Sequence, residues 1–203
     1  MTILVTAFDP FGGEARNASS EILEALPEEI GGAQVRKLVV PTSFRRCSAP
    51  AEREILSLRP DAVLCLGQAG GRDALTPERV AINVMDARIP DNDGFSPVDE
   101  PVAPDGPAAY FSTLPLRAMT ESMRERSVPA RISDTAGTFV CNCLMYSLLR
   151  FTAERAPSVR CGFLHVPYLT GQAAPGLPAV EFDTAVLGVT AAIASIARAM
   201  RGQ

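Results

Sequence analysis

Residues 141–166 read CNCLMYSLLRFTAERAPSVRCGFLHV, and this stretch decides the fold. Its first half repeats apolar residues at helical spacing, Cys141, Leu144, Leu148 and Phe151, which predicts a helix over 141–153. Residues 161–166 form a short apolar run of strand length, Cys161 to Val166. Helix, loop and strand in that order make a crossover, the connection that parallel strands require. The same alternation extends upstream. Strands are expected at Ile3–Ala7, Val35–Val40, Ala62–Leu66, Arg79–Met85 and, briefly, Ala130–Ser133. Helices are expected from a cap within Asn17–Ser20 to Leu26, over Ala51–Leu58 (stopped by Pro60), and over Leu116–Arg126. A last helix, Glu181–Arg201, sets Phe182, Val186, Val189, Ile193, Ile196 and Met200 on one face. The reading is α/β: a single-domain three-layer α/β/α sandwich with a largely parallel, open twisted sheet over residues 1–203. In such sheets, sites form beyond the carboxyl ends of the strands. Residues 86–107 carry five prolines and six acidic residues with no periodicity, which marks a functional loop or lid.

Composition narrows the function. The chain has 203 residues, enough for one substantial core, and 19 Lys+Arg against 23 Asp+Glu. A formal charge of −4 argues against nucleic acid as partner, because displacing counterions from phosphate needs a basic face. Five cysteines in no staple spacing and a single histidine make a structural zinc site hard to assemble, so no metal and no cofactor are expected. The run Met1–Ala7 lacks a basic leader and stops at Phe8-Asp9-Pro10, so no signal peptide is expected. The uncharged stretch Thr184–Ala197 is too short and too polar for a membrane span. The expected setting is a reducing cytoplasm.

For the chemistry, Gly12-Gly13 and the cluster Gly67-Gln68-Ala69-Gly70-Gly71 match neither dinucleotide nor phosphate-loop spacing, and read as tight turns at strand ends. Cys141 opens a helix, where free N–H groups and the macrodipole favour an anion, lower a thiol pKa and can hold an oxyanion. It also continues the apolar stripe, so a core role stays open. His165 lies 24 residues on, at the end of the following strand, where the crossover returns it toward the start of that helix. A thiol and an imidazole there make a nucleophile–base pair. The orienting third group cannot be chosen by spacing among so many carboxylates.

Several blocks carry a resemblance. Phe8-Asp9-Pro10-Phe11-Gly12-Gly13, Leu66–Arg72, Pro77–Asn83, Asp86–Asn92, Ala136–Asn142 and Gly162–Tyr168 occur in one order along residues 3 to about 170. Together they resemble the pyroglutamyl peptidase I family, also called pyrrolidone carboxyl peptidases. The resemblance implies a cysteine exopeptidase that removes an N-terminal pyroglutamyl residue from peptides through a thioester acyl-enzyme. It places the nucleophile on Cys141, the base on His165 and the acid on Glu78. It assigns the pocket to Phe8, Phe11, Phe139 and the Gln68 backbone, leaves Arg88 near the site without a role, and implies a homo-oligomer, dimer or tetramer. Ala18 after Asn17 and Thr170-Gly171 before Gln172 depart from the family pattern. Two rival readings use the same residues: a nucleotide- or metabolite-binding module built on the glycine clusters, and a thiol redox protein, which the lack of C-x-x-C weakens.

Overall fold

The computed structural model describes residues 1–202. The chain begins β1 (Thr2–Phe8), α1 (Ala18–Ala25), β2 (Glu29–Ile30), β3 (Ala33–Val40), α2 (Ser48–Leu58) and β4 (Ala62–Gln68). It continues β5 (Thr76–Glu78), β6 (Val80–Ile82), β7 (Ala109–Phe111), α3 (Leu116–Arg124) and α4 (Val140–Arg155). It ends β8 (Arg160–Val166), β9 (Tyr168–Leu169), β10 (Ala179–Val180) and α5 (Phe182–Met200). Six strands form the main sheet in the order β2-β3-β1-β4-β8-β5. The central four are parallel, and β2 and β5 close the edges antiparallel.

Strands β1 and β4 are buried along nearly their whole length, as continuous apolar runs are in a parallel sheet covered on both faces. On one face α1, α3 and α5 bring Ile22, Met119 and Ile193 into the core that holds Ile3, Val5 and Leu64. On the other, α2 and α4 bring Ile55, Leu144 and Leu148 into the core that holds Leu4, Val63 and Phe163. The three-layer sandwich is therefore the architecture. Asn17 caps α1, its side chain accepting from the Ser19 N–H at 3.0 Å. Helix α5 is long and apolar enough to cross a membrane by length and composition alone; in this fold Val189, Ile193 and Ile196 are buried in the α1/α3 core. Phe182, expected on that buried face, is exposed.

Three expectations change. The strand expected over Arg79–Met85 is two strands, because the chain leaves the main sheet at Arg79. Glu78 pairs with Phe163 of β8, whereas Val80–Ile82 pairs with Ala109–Phe111 of β7. The strand expected at Ala130–Ser133 is reduced to single bridges, Leu75 to Ala130 and Glu78 to Ser133. Segment 86–107 has no regular strand or helix, yet it is pinned rather than loose. Asp91 is buried and accepts from the backbone N–H groups of Phe44, Asp93 and Phe95, each at 2.9 Å. Asn92 donates to the Pro10 carbonyl at 2.8 Å and to Asp9 Oδ1 at 3.1 Å. Satisfying buried backbone groups with carboxylates this way fixes a loop that has no ladder of its own.

Candidate active site

The carboxyl ends of β4 and β8 and the loop after β1 open on a cavity of about 510 Å³ lined by Phe11, Gln68, Arg88, Phe139, Cys141 and His165, among others. This is the position where a parallel sheet offers backbone groups without helices covering them. Five of the seven residues named for the site from sequence therefore reach or border it. Phe8 does not line it: its ring is 2% exposed and packs 6.4 Å from Phe163, behind the cavity wall. Glu78 is fully buried beneath it.

Cys141 is the second residue of α4. The other four cysteines are buried, whereas Cys141 packs against the α2/α4 core and is partly exposed at the cavity. Two neighbours hold it there. Asn142, fully buried, accepts from the Ile82 N–H and donates to the carbonyls of Ile82 and Val84, all at 2.9 Å. That one amide clamps the first turn of α4 to β6. Gly67 of β4 does the second part. A side-chain carbon there would stand 2.9 Å from Cys141 Sγ and 2.6 Å from the Phe163 ring. Gly67 is paired in register with His165, and neighbouring strands lie about 4.8 Å apart. The absent side chain at Gly67 is what seats the sulfur next to the histidine strand. This glycine lies within a strand rather than in the turn expected from sequence, and Gly70 is likewise filled, by the Tyr168 ring.

His165 Nδ1 lies 2.7 Å from Glu78 Oε1, and the imidazole packs on Phe163 with centroids 4.7 Å apart. An antiparallel edge strand makes this possible, since Glu78 on β5 lies across from Phe163 on β8. Arg72 Nη1 donates to the same Oε1 at 2.5 Å and also to the Thr76 hydroxyl, while Nη2 donates to the Thr135 carbonyl at 3.0 Å. The other oxygen, Oε2, has no hydrogen-bond partner.

The titration of the site runs against one expectation. Loss of water around the sulfur pushes the Cys141 thiol up to about 12, the Glu78 charge adds to this, and Arg72 opposes it. Desolvation thus works against the depressed thiol expected at a helix N-terminus. Burial likewise lowers the His165 pKa, with the Glu78 hydrogen bond and charge pulling it back up and Arg72 pushing it down. Burial alone would raise Glu78, but the bond and charge of His165, with Arg72, leave its carboxyl below the ordinary range. Together these directions favour a resting thiol, a neutral imidazole and a carboxylate.

The rest of the cavity is aromatic at one side and polar at its rim. Phe11 and Phe139 stand 6.0 Å apart, and Phe44 braces Phe139 edge-on at 5.2 Å. The Gln68 side chain is fully engaged: its oxygen accepts from the Ala18 N–H at 2.8 Å and from Gln172 at 2.6 Å, and its nitrogen donates to Glu14 at 3.2 Å. Only its backbone is left to face a ligand. Arg72, Asn142 and Gly67 are structural contributors that the sequence reading left without a role. The signal for Gly67 and Arg72 was present, as ordinary members of a glycine-rich stretch.

An α/β/α fold with one accessible thiol over a buried imidazole–carboxylate pair is that of a cysteine peptidase. The model of the family described as Pyroglutamyl peptidase matches residues 1–199, and the chain belongs to that family. It is 48% identical over 198 residues to a pyrrolidone-carboxylate peptidase of Levilactobacillus brevis, covering 97% of each chain. A pyrrolidone-carboxylate peptidase of Streptococcus pyogenes is 50% identical over 198 residues, covering 97% of this chain and 92% of that one. The crystal structure of pyroglutamyl peptidase I from Bacillus amyloliquefaciens superposes with a TM-score of 0.94 at 41% identity, covering 97% of both chains. That of pyrrolidone carboxyl peptidase from Thermococcus litoralis gives 0.94 at 35% identity, covering 99% of this chain and 95% of the other.

Proposed function

We propose that the whole chain acts as one catalytic domain in which Cys141 is the nucleophile, His165 the general base and Glu78 the group that orients it. The observation that carries this reading is the placement of the one cavity-facing thiol beside the strand whose imidazole bonds Glu78 Oε1 at 2.7 Å. With Nδ1–H donated to Glu78, the neutral ring keeps Nε2 as a proton acceptor. As Sγ attacks the carbonyl carbon that follows the lactam ring, its proton passes to Nε2, and the carboxylate stabilises the imidazolium. The first-turn N–H groups of α4 have no intrahelical partner and face the growing negative charge on oxygen. Collapse breaks the C–N bond. Nε2 returns the proton to the leaving amine, and a thioester remains on Cys141. Water, losing a proton to Nε2, attacks that thioester, and free pyroglutamate departs as the sulfur regains its proton.

The substrates in this reading are peptides with an N-terminal pyroglutamate. The flat neutral lactam lies between Phe11 and Phe139, with Phe8 supporting the wall from behind and the Gln68 backbone bonding the ring amide. Five free thiols suit a reducing cytoplasm. A homo-oligomer, dimer or tetramer, is consistent with the exposed Phe111, Phe182 and Leu187 and is read out by sedimentation. The test of function is release of a fluorophore from a pyroglutamyl amide, lost when Cys141 alone is alkylated. Turnover that survives stoichiometric alkylation of Cys141 would refute the reading.

A further inference from the structure

Arg72 is the cation nearest the reacting groups that the triad reading leaves unused. Its side chain is mostly buried, 22% exposed, and lines the cavity. It bonds three acceptors in two separate parts of the site at once. One arm holds Glu78 Oε1, the oxygen that His165 also uses, together with the Thr76 hydroxyl on β5. The other arm holds the Thr135 carbonyl, in the segment that leads directly into α4 and Cys141. A planar fork with several donors is suited to such a bridge, and a lysine ammonium is not. Its position has an electrostatic consequence as well as a mechanical one. Two donors on one carboxylate oxygen compete, and the fixed charge of Arg72 opposes a second positive charge on the neighbouring imidazole.

Resting on the triad reading above, we propose that Arg72 is a positioning residue with two separable effects. It fixes Glu78 relative to the loop that delivers Cys141, and it holds His165 in its neutral, proton-accepting form. The charged groups acting on His165 are Glu78 from β5 and Arg72 from the β4–β5 connection; Cys141 from α4, Glu14, Asp86, Arg88 and Tyr168 line the same cavity. The directions agree: burial is the larger cause that lowers His165 and the Arg72 charge adds to it, and the same charge, after His165, helps to lower Glu78.

The sign follows directly. The base must be neutral, so kcat/KM falls on the acid side as His165 gains a proton. Removing a nearby positive charge eases that protonation, so the acid limb must move to higher pH.

The experiment compares wild type, Arg72→Met and Arg72→Lys in the full-length enzyme with a pyroglutamyl amide, iodoacetamide titration counting competent sites. Arg72→Met is expected to lower kcat per competent site on the order of tenfold to a hundredfold with KM little changed, and to raise the acid limb by roughly one pH unit. Arg72→Lys keeps the charge and loses the bridge, so it is expected to lower kcat with the limb unmoved. A purely structural arginine would reduce the count of competent sites without moving the limb. An Arg72→Met profile that superimposes on wild type, with kcat within about twofold, overturns the proposal. If Arg72→Met fails to fold, full kcat in Arg72→Lys overturns it alone. Failure of the triad reading is distinguishable, because Cys141→Ala would then retain activity whatever Arg72 does.

Discussion

The Sγ atom of Cys141 lies 2.9 Å from where a side-chain carbon of Gly67 would be. One strand residue without a side chain, itself in register with His165, thus sets how closely the start of α4 approaches the sheet. Gly67→Ala must push the sulfur or the Phe163 ring away. The expected result is a loss of kcat/KM of at least about a hundredfold with about 1–3 kcal/mol of stability lost to overpacking. Kinetics beside denaturant unfolding check it, and wild-type kcat/KM in the variant would count against the seating role.

Cys141→Ser is expected to abolish turnover, because a hydroxyl is a far weaker nucleophile than sulfur toward the same base. Cys143→Ser and Cys47→Ser retain most activity: both thiols are buried, and both lie against the Phe44 carbonyl rather than the cavity. Steady-state rates of the three variants decide the matter. Equal losses in all three would show that the thiols matter for packing and not for attack.

His165→Ala is expected to be inactive and folded, since the chain holds no other imidazole. Glu78→Gln is expected to be milder, because in the proposed mechanism Glu78 orients the ring and takes no part in the bond changes. Circular dichroism with kcat separates lost chemistry from lost fold. Full activity in Glu78→Gln would assign orientation of the ring to another group.

The resting thiol sits high and the imidazole low, so Cys141 reactivity should depend on a neutral His165. Iodoacetamide is expected to alkylate Cys141 at a rate that climbs as pH rises through the His165 pKa, below the ordinary 6.5. A rate already at its plateau near pH 4 would reveal a preformed thiolate–imidazolium pair instead. Stability follows the same groups. A histidine with a lowered folded pKa binds its proton less readily than the unfolded chain does. It therefore contributes stability above 6.5 that is lost as pH falls below that value. Glu78 adds a second loss as pH falls below 4.5. Thermal unfolding across pH 2–8 should show both, and His165→Ala should remove the upper step.

Substrate choice is expected to be strict. A glutaminyl amide brings an ammonium between Phe11 and Phe139, and burying it unpaired costs several kcal/mol. About 4 kcal/mol corresponds to roughly a thousandfold in kcat/KM. A prolyl amide lacks the lactam carbonyl and should also be poor. A matched set of pyroglutamyl, glutaminyl, glutamyl and prolyl amides measures this; equal values for the first two would refute it.

Much of this was readable from local pattern. The Asn17 cap, the runs at β1 and β4, and the crossover from α4 to β8 follow from periodicity and cap chemistry, and the crossover alone brought Cys141 toward His165. What resisted reading is non-local. Glu78 lies 87 residues from its partner among many carboxylates, and only the family resemblance singled it out. The break at Arg79 was invisible because alternation runs on through both strands while the pairing partner changes. Arg72 looked like the end of a turn, and its three acceptors come from two other parts of the chain.

The Asp91 and Asn92 anchors also decide when the cleft is made. Restricting a residue's backbone costs about 1–2 kcal/mol, and for segment 86–107 that entropy is surrendered during folding, not when a ligand arrives. A peptide therefore meets a wall that is already rigid, and its affinity is not taxed by ordering one. Rigid inhibitors cut to the shape of the cleft should consequently gain more here than flexible ones of equal contact area.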